Sequence, residues 1–124
     1  MTPELSKEVF DRAAALSSAG GDPDFLIDLV GLFQAAWPTL RNDIELGLAS
    51  ADLRSVEQGA RLAKVASQNI YALRVSESAA RLVVGAREGS LAAAEAAFAT
   101  LEFEVKRLIP HLIDFRNSQT FKQA

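Results

Sequence analysis

Residues 90–115 read SLAAAEAAFATLEFEVKRLIPHLIDF, and their apolar side chains recur at alternating spacings of three and four residues. The apolar set comprises Leu91, Ala94, Phe98, Leu101, Val105, Leu108, Leu112 and Phe115. This spacing indicates an amphipathic helix with one buried stripe, and Ser90 is suited to cap its N-terminus. The stretch predicts a long packed helix that bends at Pro110 and frays after Arg116.

Turn residues divide the preceding chain into shorter helical segments. Thr2-Pro3 and Gly20-Gly21 bound the first predicted helix, because Pro is tolerated at a first helical position and Gly at a helix end. Asp22-Pro23 begins the second helix, which we expect over about residues 24–49. Pro38 lies inside that helix and should kink it or divide it in two, since Pro lacks a backbone donor.

The third predicted helix begins after Asp52 and has a buried stripe of its own. That stripe comprises Leu53, Val56, Ala60, Ala63, Ser67 and Ile70. A fourth helix ends at Gly89 and repeats the spacing with Val75, Ala79, Leu82 and Ala86. Five helices joined by short loops predict one all-α domain over residues 1–124. We expect an antiparallel four-helix bundle with an additional N-terminal helix.

The composition excludes several classes of function. The chain of 124 residues has no cysteine and one histidine, His111, so we expect no disulfide, no metal site and no cofactor. A net charge of −3 argues against nucleic-acid binding. The longest uncharged stretch, residues 29–40, is shorter than the roughly 20 residues of a membrane-spanning helix. The N-terminus is polar and charged, unlike a signal peptide, which leaves the cytoplasm as the expected compartment.

The charges are unevenly distributed along the chain. Residues 53–87 contain six Lys or Arg and two Glu, a net charge of +4 in a chain that is acidic overall. A moderately basic central surface favours an acidic protein partner over a phosphate backbone.

Residues 60–72, ARLAKVASQNIYA, resemble the acceptor helix of the histidine phosphotransfer (HPt) family, whose motif runs roughly A-H-x-L-K-G-S. Lys64 matches the motif lysine, and Arg61 stands where the family has its phosphorylated histidine. The Ser50-Ala51-Asp52 turn and the opening of the last helix at 89–95 are also similar to the family. The resemblance extends over about residues 20–112 and implies the HPt bundle.

Three departures from the motif imply that phosphotransfer is lost. A guanidinium at Arg61 has no nucleophilic lone pair at neutral pH and cannot accept a phosphoryl group as imidazole does. Val65 replaces a glycine that gives the partner room, and Ala66 replaces a serine. The resemblance therefore implies a degenerate, non-catalytic HPt-like protein of two-component phosphorelay signalling.

Helical spacing places a set of side chains on one solvent-facing side of the third helix, beside its buried stripe. The set comprises Arg61, Lys64, Val65 and Gln68, and Glu57 and Gln58 extend it toward the start of the helix. HPt proteins meet their partners on this face. The resemblance thus implies binding of a receiver domain of a response regulator, or of a histidine kinase, by a monomer.

Two other hypotheses fit the same sequence. His111 is a displaced phosphoryl acceptor in the first. In the second the chain is a structural or assembly bundle unrelated to signalling, and it pairs through an apolar strip that includes Leu62, Val65 and Val84. No catalytic carboxylate pair is predicted, because Glu102 and Glu104 fall on different sides of their helix and suggest solvation.

Overall fold

The computed structural model describes the backbone of residues 8–123 and the side chains of residues 8–119. Five α-helices account for most of these residues, and no strand occurs among them. In chain order they are α1 (Arg12–Ser18), α2 (Pro23–Ala49), α3 (Leu53–Asn69), α4 (Leu73–Arg87) and α5 (Leu91–Gln123). The prediction of an all-α fold is confirmed.

The four long helices form a bundle in which each helix packs on its neighbour along the chain. The tightest pairing is between α3 and α4, whereas the contact between α2 and α5, which closes the ring, is the sparsest of the four. Only three residues separate successive long helices, and connections of that length join antiparallel neighbours. The short helix α1 packs on α2.

The core follows the predicted stripes closely. On α3, Val56, Ala60, Ala63 and Ser67 are fully buried, and Ile70 at the helix end is buried with them. On α5 the stripe from Ala94 to Phe115 is buried along its whole length. The periodic pattern therefore identified the inward face of both helices, which also determines the face that points to solvent.

The second helix is undivided. The Asp22 carboxylate caps it by accepting hydrogen bonds from the backbone N–H groups of Asp24 and Phe25. The helix then continues through Pro38 to Ala49. Of the two expected outcomes at this proline, division into two helices is wrong, because the buried residues on both sides of it share one core.

The N-terminal helix is shorter than predicted. It begins at Arg12, with the Asp11 carboxylate accepting from the Ala14 N–H at 3.1 Å, so residues 8–11 are not helical. The apolar side chain of Phe10 explains this boundary, because it is buried edge-on against Phe115 with ring centroids 5.8 Å apart. The predicted start at Thr2-Pro3 lies outside the described residues.

Two predictions about α5 are also corrected. The helix continues past Arg116 to Gln123, where fraying was expected. Glu104 is buried, not solvated, and its carboxylate accepts a hydrogen bond from the Arg107 guanidinium at 3.4 Å. Glu102 does lie nearer the surface, where it pairs with Arg41 on α2 at 2.6 Å.

The three loops of the bundle share one geometry, although their sequences differ. Ala51, Tyr71 and Gly89 follow α2, α3 and α4 in the left-handed conformation, with φ of 55°, 56° and 76°. The residue after each donates its N–H back across the helix end, for example from Asp52 to the Gly47 carbonyl at 2.7 Å. This is the hydrogen bond of a Schellman cap, in which glycine is the unstrained residue. Ala51 and Tyr71 therefore hold a conformation that costs about 1–2 kcal/mol for a residue with a Cβ.

Candidate functional site

The helix that carries the candidate site begins at a well-formed cap. The Asp52 carboxylate accepts from the Ser55 hydroxyl at 2.7 Å and from the Ser55 backbone N–H at 3.3 Å. These hydrogen bonds from Ser55 lower the pKa of Asp52 below its usual range. The cap satisfies a free N–H group of the first turn and, with the buried stripe, sets the direction in which each α3 side chain points.

The predicted binding face is on the surface. Arg61, Val65, Gln68 and Gln58 are exposed, and Val65 retains 54% of its accessible surface. Glu57 and Lys64 border the face and are half-buried. Because α3 is 17 residues long, Arg61 lies near its midpoint.

The Arg61 guanidinium is not a free cation. Its Nη2 and Nε atoms donate to Glu57 Oε2 at 2.5 and 2.9 Å, one helical turn away. Arg87 reaches across from the end of α4 to the same oxygen at 3.3 Å. The hydrogen bond from Arg61 is the main cause of a lowered pKa for Glu57, with a smaller contribution from Arg87. One carboxylate therefore bridges two arginines from different helices.

Arg87 is the member of this cluster that the sequence did not identify. It lies thirty residues beyond Glu57, and only the pairing of α3 with α4 brings the two side chains together. The available signal was its position in the last turn of α4, where a cation is favoured by the helix dipole. With Arg87 included, the candidate surface extends over two helices.

Lys64 differs from Arg61 in its surroundings. Its ammonium forms no ion pair with any of residues 8–119, although it is half-buried. The neighbouring buried hydroxyl of Ser67 donates to the Ala63 and Lys64 carbonyls, so it is satisfied within the helix. Lys64 is the cation of this face that is available to an acidic partner without breaking an internal pair.

Apolar side chains flank these charges. Leu62 and Val65 on α3 and Val84 on α4 are each about half exposed. Leu62 lines a recess between α2 and α3, whereas Val84 lines a recess between α4 and α5. The three side chains of the predicted apolar strip are therefore solvent-accessible, but Leu62 and Val84 lie on different sides of the α3–α4 pair.

His111 lies apart from this face. It is exposed on α5, directly after Pro110. The bundle pairs α3 with α2 and α4, and α5 with α4 and α2, so α5 is not a principal neighbour of α3. The structure does not bring His111 to Arg61 or Lys64.

The chemistry of the site is that of charge and shape. The α3–α4 surface combines Arg61, Arg87 and their bridging carboxylate with exposed Val65 and with Lys64, which has no ion-pair partner among residues 8–119. The α3 helix has no histidine. Among residues 8–123, no group of three or more His, Asp or Glu is arranged to hold a metal ion. None of the helices in that range combines the length and the hydropathy of a membrane-spanning segment.

Comparison of the chain with protein-family models, curated proteins and solved structures finds no match.

Proposed function

We propose that this chain is a non-catalytic, HPt-like protein of two-component phosphorelay signalling. In this proposal it binds the receiver domain of a response regulator, or a histidine kinase, and accepts no phosphate. The observation that supports it most is the exposure of Arg61 and Val65 at the middle of a bundle helix, beside Lys64, which has no ion-pair partner among residues 8–119. These are the positions at which the HPt resemblance places the acceptor, the assisting lysine and the clearance for a partner.

Electrostatics supply the attraction in this proposal. Receiver domains, by the same resemblance, have an acidic phosphorylation pocket. Lys64 approaches it as a free ammonium, whereas Arg61 must exchange Glu57 for a carboxylate of the partner. That exchange replaces one ion pair by another and costs little. Binding should therefore be steered by charge, and it should weaken as salt shortens the Debye length from about 10 Å at 0.1 M.

The proposed protein works as a cytoplasmic monomer and occupies its partner without nucleic acid, membrane or cofactor. A receiver held in this way is blocked from its own phosphoryl donor. The branched side chain of Val65 gives the interface an apolar contact where active relatives leave a gap. The outcome is a complex that forms without group transfer.

Binding to purified receiver domains and histidine kinases of the source organism, at low and high salt, tests the proposal. We expect binding that salt weakens, and Lys64→Gln should weaken it by about two- to fivefold, as for an exposed ion pair. Lys106→Gln on α5 is the matched control, because it removes an exposed lysine from another surface. Absence of binding to every receiver and every kinase would overturn the proposal.

A gain-of-function variant tests the HPt origin of the scaffold. Arg61→His together with Val65→Gly restores the imidazole and the space beside it, so some acid-labile phosphoryl label should transfer from a phosphorylated receiver. Arg61→His with Val65 retained is the matched control and should accept less label. If the double variant takes up none, the biochemical argument for an HPt scaffold is lost.

The exposure of three apolar side chains on α3 and α4 favours one competing function, a structural bundle that assembles with itself. Leu62, Val65 and Val84 would then be covered by a second copy. Mass measured against protein concentration separates the two hypotheses, because the partner-binding protein should stay monomeric. The displaced-acceptor hypothesis has its own test: phosphoryl label on the unaltered protein that disappears in His111→Ala.

A further inference from the structure

A recess lies on the side of α3 that faces α2. It is an open groove of about 380 Å³ between the C-terminal half of α2 and the N-terminal half of α3. Gly47 on α2 and Gly59 on α3 both line it and are themselves buried. The volume is at the lower end of the roughly 300–1,000 Å³ of ligand pockets. The open shape suits a segment of chain better than an enclosed small molecule.

Close helix packing explains why the groove exists. A Cβ on Gly47 would lie 2.9 Å from Val56 Cγ2, and one on Gly59 would lie 2.8 Å from Ile44 Cγ1. Both positions must therefore stay without side chains. The rows of larger side chains on either side stand above them, which leaves a recess along the seam.

Two leucines supply the apolar contacts of a groove that is otherwise lined mainly by polar side chains. Leu46 on α2 and Leu62 on α3 contribute from different helices, with 61% and 53% of their surfaces exposed. They offer a local apolar contact within polar surroundings. An apolar side chain inserted between these leucines would cover both.

The charge of the groove is negative. Asp43 and Asp52 line it, and no lysine or arginine does. Asp43 forms no ion pair with any of residues 8–119, whereas the Asp52 carboxylate accepts hydrogen bonds from Ser55, which lower its pKa. The exposed Arg54 adds a smaller electrostatic contribution to that lowered pKa but does not line the groove. The groove therefore complements a ligand that carries apolar and cationic groups together.

We propose that this groove binds a basic amphipathic segment of a partner protein, with an apolar side chain between Leu46 and Leu62 and a lysine or arginine at Asp43. The groove differs in sign from the cationic face of α3 and α4, which it adjoins at Gln58. It does not depend on the proposed function, because an HPt-like protein and a structural bundle would present the same groove.

Titration of the isotope-labelled protein with a short amphipathic peptide of leucine, lysine and arginine, followed by amide NMR shifts, tests the proposal. The expected shifts centre on Gly47 and Gly59. Asp43→Asn should weaken the affinity about two- to fivefold, and Leu62→Ser roughly three- to tenfold. The matched control is Asp28→Asn, which removes the same charge from an exposed position of α2 outside the groove and should leave the affinity unchanged.

Two peptide controls separate the groove from general charge attraction. Replacing lysine and arginine by glutamate, or leucine by serine, should abolish the shifts at Gly47 and Gly59. Equal effects of Asp43→Asn and Asp28→Asn, shifts centred elsewhere, or no shift at all would overturn the proposal. Groove shifts that depend on protein concentration without peptide would overturn it too, in favour of a second copy as the occupant. Circular dichroism checks that each variant, all at exposed positions, stays folded.

Discussion

The two seams along α3 are held together by different physics. On the α2 side, Gly47 and Gly59 accept the branched side chains of Val56 and Ile44, so the helices meet at distances that leave no space for a Cβ. On the α4 side, the helices pack even more extensively, and the Glu57–Arg87 ion pair adds a charged link at their exposed edge. The first seam depends on shape and tolerates little change. The second has a charged component that can exchange partners.

This difference suggests that packing positions α3, while its surface ion pairs are available for binding. A seam that interlocks by shape sets the distance and rotation of α3 against α2. A surface ion pair is worth little to stability and is screened by salt, so Glu57 and its arginines are available for another task. Both packed seams can thus hold the α3 face in place, while the ion pairs at the exposed edge of the second are free to exchange partners.

The largest effect should come from shortening Ile44, whose side chain packs directly on Gly59. Ile44→Ala removes a fully buried side chain and leaves a cavity, so we expect a loss of about 2–5 kcal/mol in the free energy of unfolding. Urea denaturation measures it. A loss below about 1 kcal/mol would mean that the seam collapses around the cavity and is not as rigid as the packing implies.

The next effect is overpacking of the same seam. Gly59→Ala gains helix propensity but places a Cβ against Ile44, whose branched side chain has one favoured rotamer in a helix. We expect a net loss of about 1–3 kcal/mol.

Gly31→Ala is the matched control, because it is in α2 with nothing within 4 Å of the added Cβ. It should stabilise by up to about 1 kcal/mol. Combining Gly59→Ala with Ile44→Ala should remove most of the overpacking penalty. Penalties that simply add would show that the two residues do not interlock.

The turns that end the two seams offer a smaller effect. Ala51 holds φ of 55° in the turn from α2 to α3, so Ala51→Gly should relieve strain and stabilise by about 0.5–1 kcal/mol. Gly89→Ala in the turn after α4 is the reverse experiment and should destabilise by a similar amount, because Gly89 has φ of 76°. The added Cβ contacts nothing within 4 Å, so the backbone strain is the only expected cost. Thermal unfolding of both variants compares them, and changes of the same sign would contradict the shared cap geometry.

The smallest effect on stability is expected from the Glu57 ion pairs with Arg61 and Arg87. The pKa of Glu57 is lowered in the folded protein, mainly by its hydrogen bond from Arg61. Its contribution to stability is therefore present above the ordinary glutamate value of about 4.3 and is lost as the pH falls through the lowered folded value. Glu57→Gln should reduce stability slightly at neutral pH, and the difference from the unaltered protein should vanish in acid and shrink in high salt.

Glu95→Gln provides the control for that measurement. Glu95 is exposed on α5 and has no ion-pair partner among residues 8–119, so its replacement removes the same charge without breaking a pair. Denaturation curves across pH should show a Glu57-specific difference. If both variants behave alike, the two-arginine cluster contributes only net charge.

Much of the fold was predictable because the helical period of the apolar residues also identifies the side chains that the core buries. The residues spaced by three and four on α3 and α5 are those that the core buries, and Asp52 caps where a capping residue was expected. The errors lie where local pattern and tertiary contact compete. Phe10 lies within the segment predicted as the first helix, but in the structure it precedes α1 and packs against Phe115. Glu104 is buried in spite of its charge.

The candidate site divides in the same way. Spacing along one helix predicted that Arg61, Val65 and Gln68 share an exposed face, since positions three and four apart are neighbours on a helix surface. It did not predict Arg87, because no periodicity relates residues on different helices. Nor did it predict that Glu57 would neutralise much of the charge on Arg61.

Residue identity and helical period are enough to establish that the chain is helical, which faces turn inward, and that α3 carries Arg61 with no histidine. These properties can be read within one segment. In contrast, the meeting of Arg87 with Arg61 at Glu57, and the groove that Gly47 and Gly59 open between two leucines, exist only in the folded bundle. Those arrangements depend on the register and distance between helices, which are set by packing among residues far apart in the chain.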